Sequence, residues 1–132
     1  MNKKRVDGWI LKAKWAIEKA QIAEDGKVKS GFRSQISSFG AAMVTGSFKS
    51  AVAFFVNDGE SKVARSKLLV AIYYVVVGKP DGDSWQADNV NPNEVLSFVC
   101  KNDGKEVKEK FLDAAIAVKL ALNFFDLIKE RD

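Results

Sequence analysis

"SKVARSKLLVAIYYVVV", Ser61–Val77, is the stretch whose reading decides the fold. Its last five residues, Tyr73-Tyr74-Val75-Val76-Val77, are aromatic or β-branched and suit a strand on local preference. The apolar run from Leu68 to Val77 equally suits a helix buried on every side. The rest of the chain arbitrates. Apolar residues recur elsewhere at helical spacing, and no segment reads as a partner strand. A lone strand would carry unpaired backbone groups into the core. The stretch is therefore read as the fourth and central helix, with Lys62, Arg65 and Lys67 in its first turns. The apolar run is also shorter than the about 20 residues that span a bilayer.

Upstream, a first helix is expected over about Asp7–Ala23, with Asp7 as N-cap. Ile10, Ala13, Ile17 and Ala20 form its apolar stripe, and Lys12 and Lys19, seven apart, share an exposed face. Glu24-Asp25-Gly26 is read as its end, Gly26 being the stop. Ser30 is placed to cap a second helix carrying Phe32, Ile36, Phe39 and Met43. Gly40 is read as ending or bending it, and a third helix starts near Gly46 or Ser47 with Phe48, Val52 and Phe55. Asn57-Asp58-Gly59 is a turn. Downstream, 78–91 reads as a long loop. Asn91 caps a fifth helix with Pro92 at its first position, ending near Lys101. After Asn102-Asp103-Gly104, a last helix is expected from about Lys105 to Glu130, with Glu106 and Lys110 as a surface pair one turn apart.

A chain of 132 residues, 47% hydrophobic and 29% charged, suits one domain with a core that needs no disulfide or metal. The expected fold is all-α: a compact single-domain bundle of five to six helices over residues 1–132. The single cysteine, Cys100, follows Phe98 and Val99 and is read as a small buried hydrophobe. One cysteine suits a reducing, cytoplasmic location. Lys3-Lys4-Arg5 opens like a signal peptide, but Lys12, Lys14 and Glu18 interrupt what would be its apolar region. No membrane association is expected.

Charge is uneven. Residues 1–67 hold thirteen Lys/Arg and six Asp/Glu, a balance of +7; residues 68–132 hold eight and eleven, a balance of −3. The basic half points to an anionic partner. Lys12, Lys19, Arg33, Lys49, Lys62, Arg65 and Lys67 are placed to neutralise phosphates, and the first six are the candidate contacts to a nucleic-acid backbone. No helix-turn-helix or RNP-type aromatic signature accompanies them, so contact with the nucleic-acid backbone is expected.

Catalytic chemistry finds few parts. The chain has no histidine, which removes the commonest general base and metal ligand and the Ser-His and Cys-His pairs. A zinc site is not expected from one cysteine. No Gly-Lys-Ser/Thr phosphate loop occurs. Asp81, Asp83 and Asp88 sit out of register for an EF-hand loop, although Glu94 follows. No catalytic residue, metal, cofactor or small-molecule substrate is expected. An enzyme would need an acid/base pair among these four carboxylates.

One segment resembles a known family. Phe32-Arg33-Ser34, then Phe39-Gly40, then Gly46-Ser47-Phe48, then Val52-Ala53-Phe54-Phe55 resemble, without gaps, the second and third helices of the small all-helical subunit of the type III-B CRISPR effector, the RAMP-module complex. In that family the four positions carry an aromatic-Arg-Ser motif, Leu-Pro, Asn-Gly-Leu and an Ala-Phe ending. Gly40 stands where the family has Pro, and Gly46-Ser47 where it has Asn-Gly. The resemblance implies a non-catalytic subunit that stacks along a ribonucleoprotein. Its partners would be the backbone and large effector subunits, CRISPR RNA and target RNA, in antiviral defence. The small subunit of type III-A complexes is also helical and basic and is the alternative within the class. A helical protein-interaction module without RNA, acting through the acidic second half, is the alternative outside it.

Overall fold

The computed structural model of the protein describes residues 1–78 and 91–129. Among these, six helices are found: α1 (Lys3–Lys19), α2 (Gly31–Thr45), α3 (Phe48–Val56), α4 (Ser66–Val77), α5 (Pro92–Lys101) and α6 (Lys105–Ala121). The fold is an all-α bundle, as the periodicity implies. Asp81, Asp83 and Asp88, most of the expected 78–91 loop, and Glu130 lie outside the described residues.

The central stretch is a helix. α4 buries Leu68, Leu69, Val70, Ala71, Ile72, Tyr74 and Val75, so it is enclosed on almost every side. It packs on α1, α3, α5 and α6, and α6 also lies along α1 and α2. One core cluster joins all six helices. Edge-on ring pairs lock it: Phe39 of α2 against Phe55 of α3 at 5.2 Å, and Phe48 of α3 against Phe111 of α6 at 5.1 Å.

The helix ends differ from the sequence reading in instructive ways. α1 starts at Lys3 rather than Asp7, because the Asn2 side chain accepts the Arg5 N–H at 3.0 Å and caps the helix one turn earlier. It ends before Gly26, because Gln21 takes a left-handed backbone, φ 61°. The Ile22 N–H then reaches the Ile17 carbonyl and the Gln21 N–H that of Glu18, closing the last turn in a Schellman motif. Gly40 sits inside α2 without ending it. The break falls at Gly46, where Ser47 caps α3 by accepting the Ser50 N–H. α4 begins at Ser66, not Ser61. The Asp58 carboxylate, coming from the preceding turn, accepts the Ser66 N–H at 3.0 Å and sets its first turn. α5 and its Asn91 cap stand as expected.

A small three-stranded sheet has no counterpart in the helical periodicity of the sequence. β1 (Ala23–Glu24) and β2 (Lys27–Lys29) form an antiparallel hairpin, and β3 (Asp126–Ile128) pairs with β2 in parallel. Asp25 and Gly26 both have positive φ, 54° and 74°, the two-residue turn that Asp-Gly favours. Gly26 thus makes a hairpin turn, not a helix stop. β3 replaces the end of the expected last helix. After Ala121 a 3₁₀ turn, Leu122–Phe124, carries the chain into extended backbone at Phe125. There β3 meets the free side of β2, the Ser30 N–H bonds the Ile128 carbonyl, and Val28 drops into the core.

Cys100 is exposed, contrary to its expected burial. α5 turns Val95 and Val99 inward, and Cys100 lies about 100° further around the helix.

Candidate functional site

At least three of the six candidate cations, Lys12, Arg65 and Lys49, make polar contacts within the protein. The Lys12 ammonium donates to the Gly78 carbonyl at 2.7 Å and lies 5.8 Å from the Tyr74 ring. It therefore caps the C-terminal end of α4, where a cation meets the negative end of the helix dipole. Burial pulls its pKa below the ordinary lysine value. Gly78 is required there, since a Cβ would stand 2.5 Å from the Tyr74 carbonyl oxygen. Lys12 is half-buried and does not share the open face of Lys19.

Arg65 is the N-cap residue at the opposite end of the same helix, and its side chain reaches back to the end of α3. Its Nε donates to the Asn57 carbonyl at 2.9 Å, and its guanidinium lies 4.0 Å from the Phe54 ring. α4 is twelve residues long, so Lys12 and Arg65 stand about 18 Å apart along it. Lys49, on α3, pairs with Asp103 between α5 and α6 at 2.9 Å. The hydrogen bond raises the Lys49 pKa and lowers that of Asp103. Lys19 and Arg33 are exposed on α1 and α2. The six residues do not converge on one site.

The structure does assemble a basic groove, built by the unforeseen sheet. It has a volume of about 320 Å³ and lies between the hairpin and the segment that leads into α4. Lys27 and Lys29 form one wall. Lys62 and Lys67 form the other, and Ile22, Phe32 and Val63 form a buried apolar floor. Of the six candidates only Lys62 lines it.

Local structure explains the wall. Val28 is fully buried, and strand side chains alternate, so Lys27 and Lys29 project together from the opposite face. Among the described residues neither has an ion pair or side-chain hydrogen bond. The Lys67 ammonium donates to the Gln21 carbonyl at 3.3 Å and is thereby positioned beside the turn of α1. Glu24 and Asp25 stand at the hairpin end of the groove, so four lysines face two carboxylates.

The signal for Lys27 and Lys29 is in the sequence. Asp25-Gly26 followed by Lys27-Val28-Lys29 is a hairpin turn leading into strict polar-apolar alternation.

No protein-family model matches the chain, and neither a curated protein nor a solved structure shows significant similarity to it.

Proposed function

We propose that the protein is a non-catalytic, cytoplasmic small subunit of a type III-B CRISPR effector, contacting RNA through a basic surface. One observation carries the reading. Phe32, which opens the family-like segment, also lines the lysine groove, so the resemblance and the groove meet at the start of α2. The all-helical bundle and the α2–Gly46–α3 order agree with it. Its partners would be the other effector subunits, CRISPR RNA and target RNA. Contact would be with phosphates and tolerant of sequence.

The test is purification of the tagged full chain from its native host. Recovery of RAMP-type subunits with short RNAs supports the proposal, and type III-A subunits would transfer it to the sister class. A single protein partner without RNA would replace it by a protein-interaction module. That second reading draws on the apolar side chains left exposed at Leu11, Phe124 and Leu127.

A further inference from the structure

We infer that the groove between the β1–β2 hairpin and the lead into α4 is the RNA site itself, a cradle for the phosphates of a single strand, with Lys27 and Lys29 as its chief contacts. The inference rests on the RNA-facing reading and deepens it, because it moves the contact from scattered helix lysines to one built feature.

Four properties of the groove support it. First, Lys27 and Lys29 are held by pairing on both sides of β2, antiparallel to β1 and parallel to β3. Their backbones are ordered before any ligand arrives, so less entropy is lost on binding. Second, residues two apart on a strand lie roughly 6.6 Å apart, a span that successive phosphates of an extended strand can follow. Third, neither cation is ion-paired among the described residues, so no ion pair must break first, although Lys27 has Glu24 and Asp126 as register partners on the two flanking strands. Fourth, the buried floor of Ile22, Phe32 and Val63 is a wall of low dielectric, which focuses the lysine field into the groove.

The same geometry limits the ligand. Phe32 is only 4% exposed, so it offers no ring face for stacking a base. Recognition is then by charge and shape, not by base edges. Glu24 and Asp25 repel phosphate at the hairpin end, so the strand enters and leaves on the α2 side. Lys67, tethered to the Gln21 carbonyl, keeps its charge at the far wall.

The experiment measures anisotropy of a labelled oligouridylate of about twelve nucleotides against the full chain, from about 50 to 200 mM salt. Wild type should lose affinity as salt rises. Each phosphate contact contributes a slope of about −0.7 in log affinity against log salt, so K27A/K29A should flatten the slope by about 1.4 and weaken binding roughly tenfold or more. K27R/K29R should restore both, and E24Q/D25N should tighten binding. K119A, on an exposed position of α6, should change nothing. Circular dichroism would confirm that each variant is folded. Wild-type binding with an unchanged slope in K27A/K29A overturns the groove assignment and leaves the RNA reading standing. No salt-dependent binding by wild type overturns the RNA reading, and the groove assignment with it.

Discussion

α1 carries charge at both ends, and the two ends treat it oppositely. At its start, Asp113 of α6 is 1% exposed yet fully answered. Arg5 Nη1 lies 3.1 Å from one carboxylate oxygen, and the Asn2 N–H approaches both oxygens at 3.4 Å. The carboxylate also faces the positive end of the α1 dipole. At the other end of α1, about 25 Å away, Lys27 and Lys29 line an open groove that also holds Glu24 and Asp25, and neither lysine is ion-paired among the described residues. A buried charge is tolerated only when paired, so the first end is architecture. Exposed like charges held close together cost stability through repulsion, and a fold gains nothing from them internally. On the proposal above, the second end is where the RNA backbone would bind.

The sharpest way to break this contrast is Asp113→Ala. It strands the partly buried Arg5 and removes the anion from the α1 N-terminus. The expected loss is about 2–3 kcal/mol in chemical denaturation, below the range for fully buried pairs because Arg5 is 25% exposed. For a chain of this size the midpoint should fall by about 10 °C. Asp113→Asn keeps one acceptor and should cost less. K27A/K29A should move stability by under about 0.5 kcal/mol. If the two variants were equally destabilising, the contrast between structural and available charge would collapse.

A smaller effect tests how the groove end of α1 is built. Gln21 is a non-glycine residue in the left-handed region, and its strain closes the Schellman turn that presents the carbonyl held by Lys67. Gln21→Gly relieves that strain while freeing the unfolded chain. The net expectation is a gain of about 0.5–1 kcal/mol. A loss would mean that the Gln21 side chain itself supports the groove.

The bundle was legible in the sequence because its signals are periodic and redundant. Phe32, Ile36, Phe39 and Met43 recur as one face, and each is buried. α4 needed the whole chain as context, since Tyr73–Val77 alone favours a strand. What failed were ends and corners, where one residue decides. Asn2 capped α1 before Asp7 could, and Gln21 ended it where glycine was expected. β3 depends on β2 for its partner, a pairing nearly one hundred residues apart that no local pattern reports. The candidate site suffered for the same reason. The basic half is visible as a sum, but Lys12 seals the end of α4 and Arg65 ties its start to α3. Lys27 and Lys29 stay hidden while Asp25-Gly26 is taken for a helix stop, since the hairpin is what sets them side by side.

Lys12 offers a titration that distinguishes a sealing lysine from a groove lysine. Its pKa is lowered by burial, so between its folded value and 10.5 the unfolded chain holds more protons. Stability should therefore rise with pH across that window through Lys12. Lys12→Met should remove this rise, whereas Lys27→Met should not, when unfolding is followed from about pH 8 to 10.5. An identical loss in both variants would show that Lys12 is as open as the groove.

The smallest effect is expected at Lys49 and Asp103. This pair resembles the Arg5–Asp113 pair in geometry, at 2.9 Å against 3.1 Å, but its side chains are 47% and 51% exposed. Water competes for both partners, so distance is a poor guide to its worth. The Lys49 pKa is raised, so its contribution is complete below 10.5 and disappears as pH climbs through the folded value. The Asp103 pKa is lowered, so its contribution is complete above 3.8 and disappears as pH falls through its folded value. Between those limits the pair should be indifferent to pH and sensitive to salt. A double-mutant cycle with Lys49→Ala and Asp103→Ala should give a coupling that vanishes near 1 M salt, where the Debye length is about 3 Å. The equivalent cycle on Arg5 and Asp113 should keep most of its coupling there. Equal salt sensitivity in the two cycles would mean that burial of Asp113 does not shield its pair, and the difference between the ends of α1 would then be one of degree.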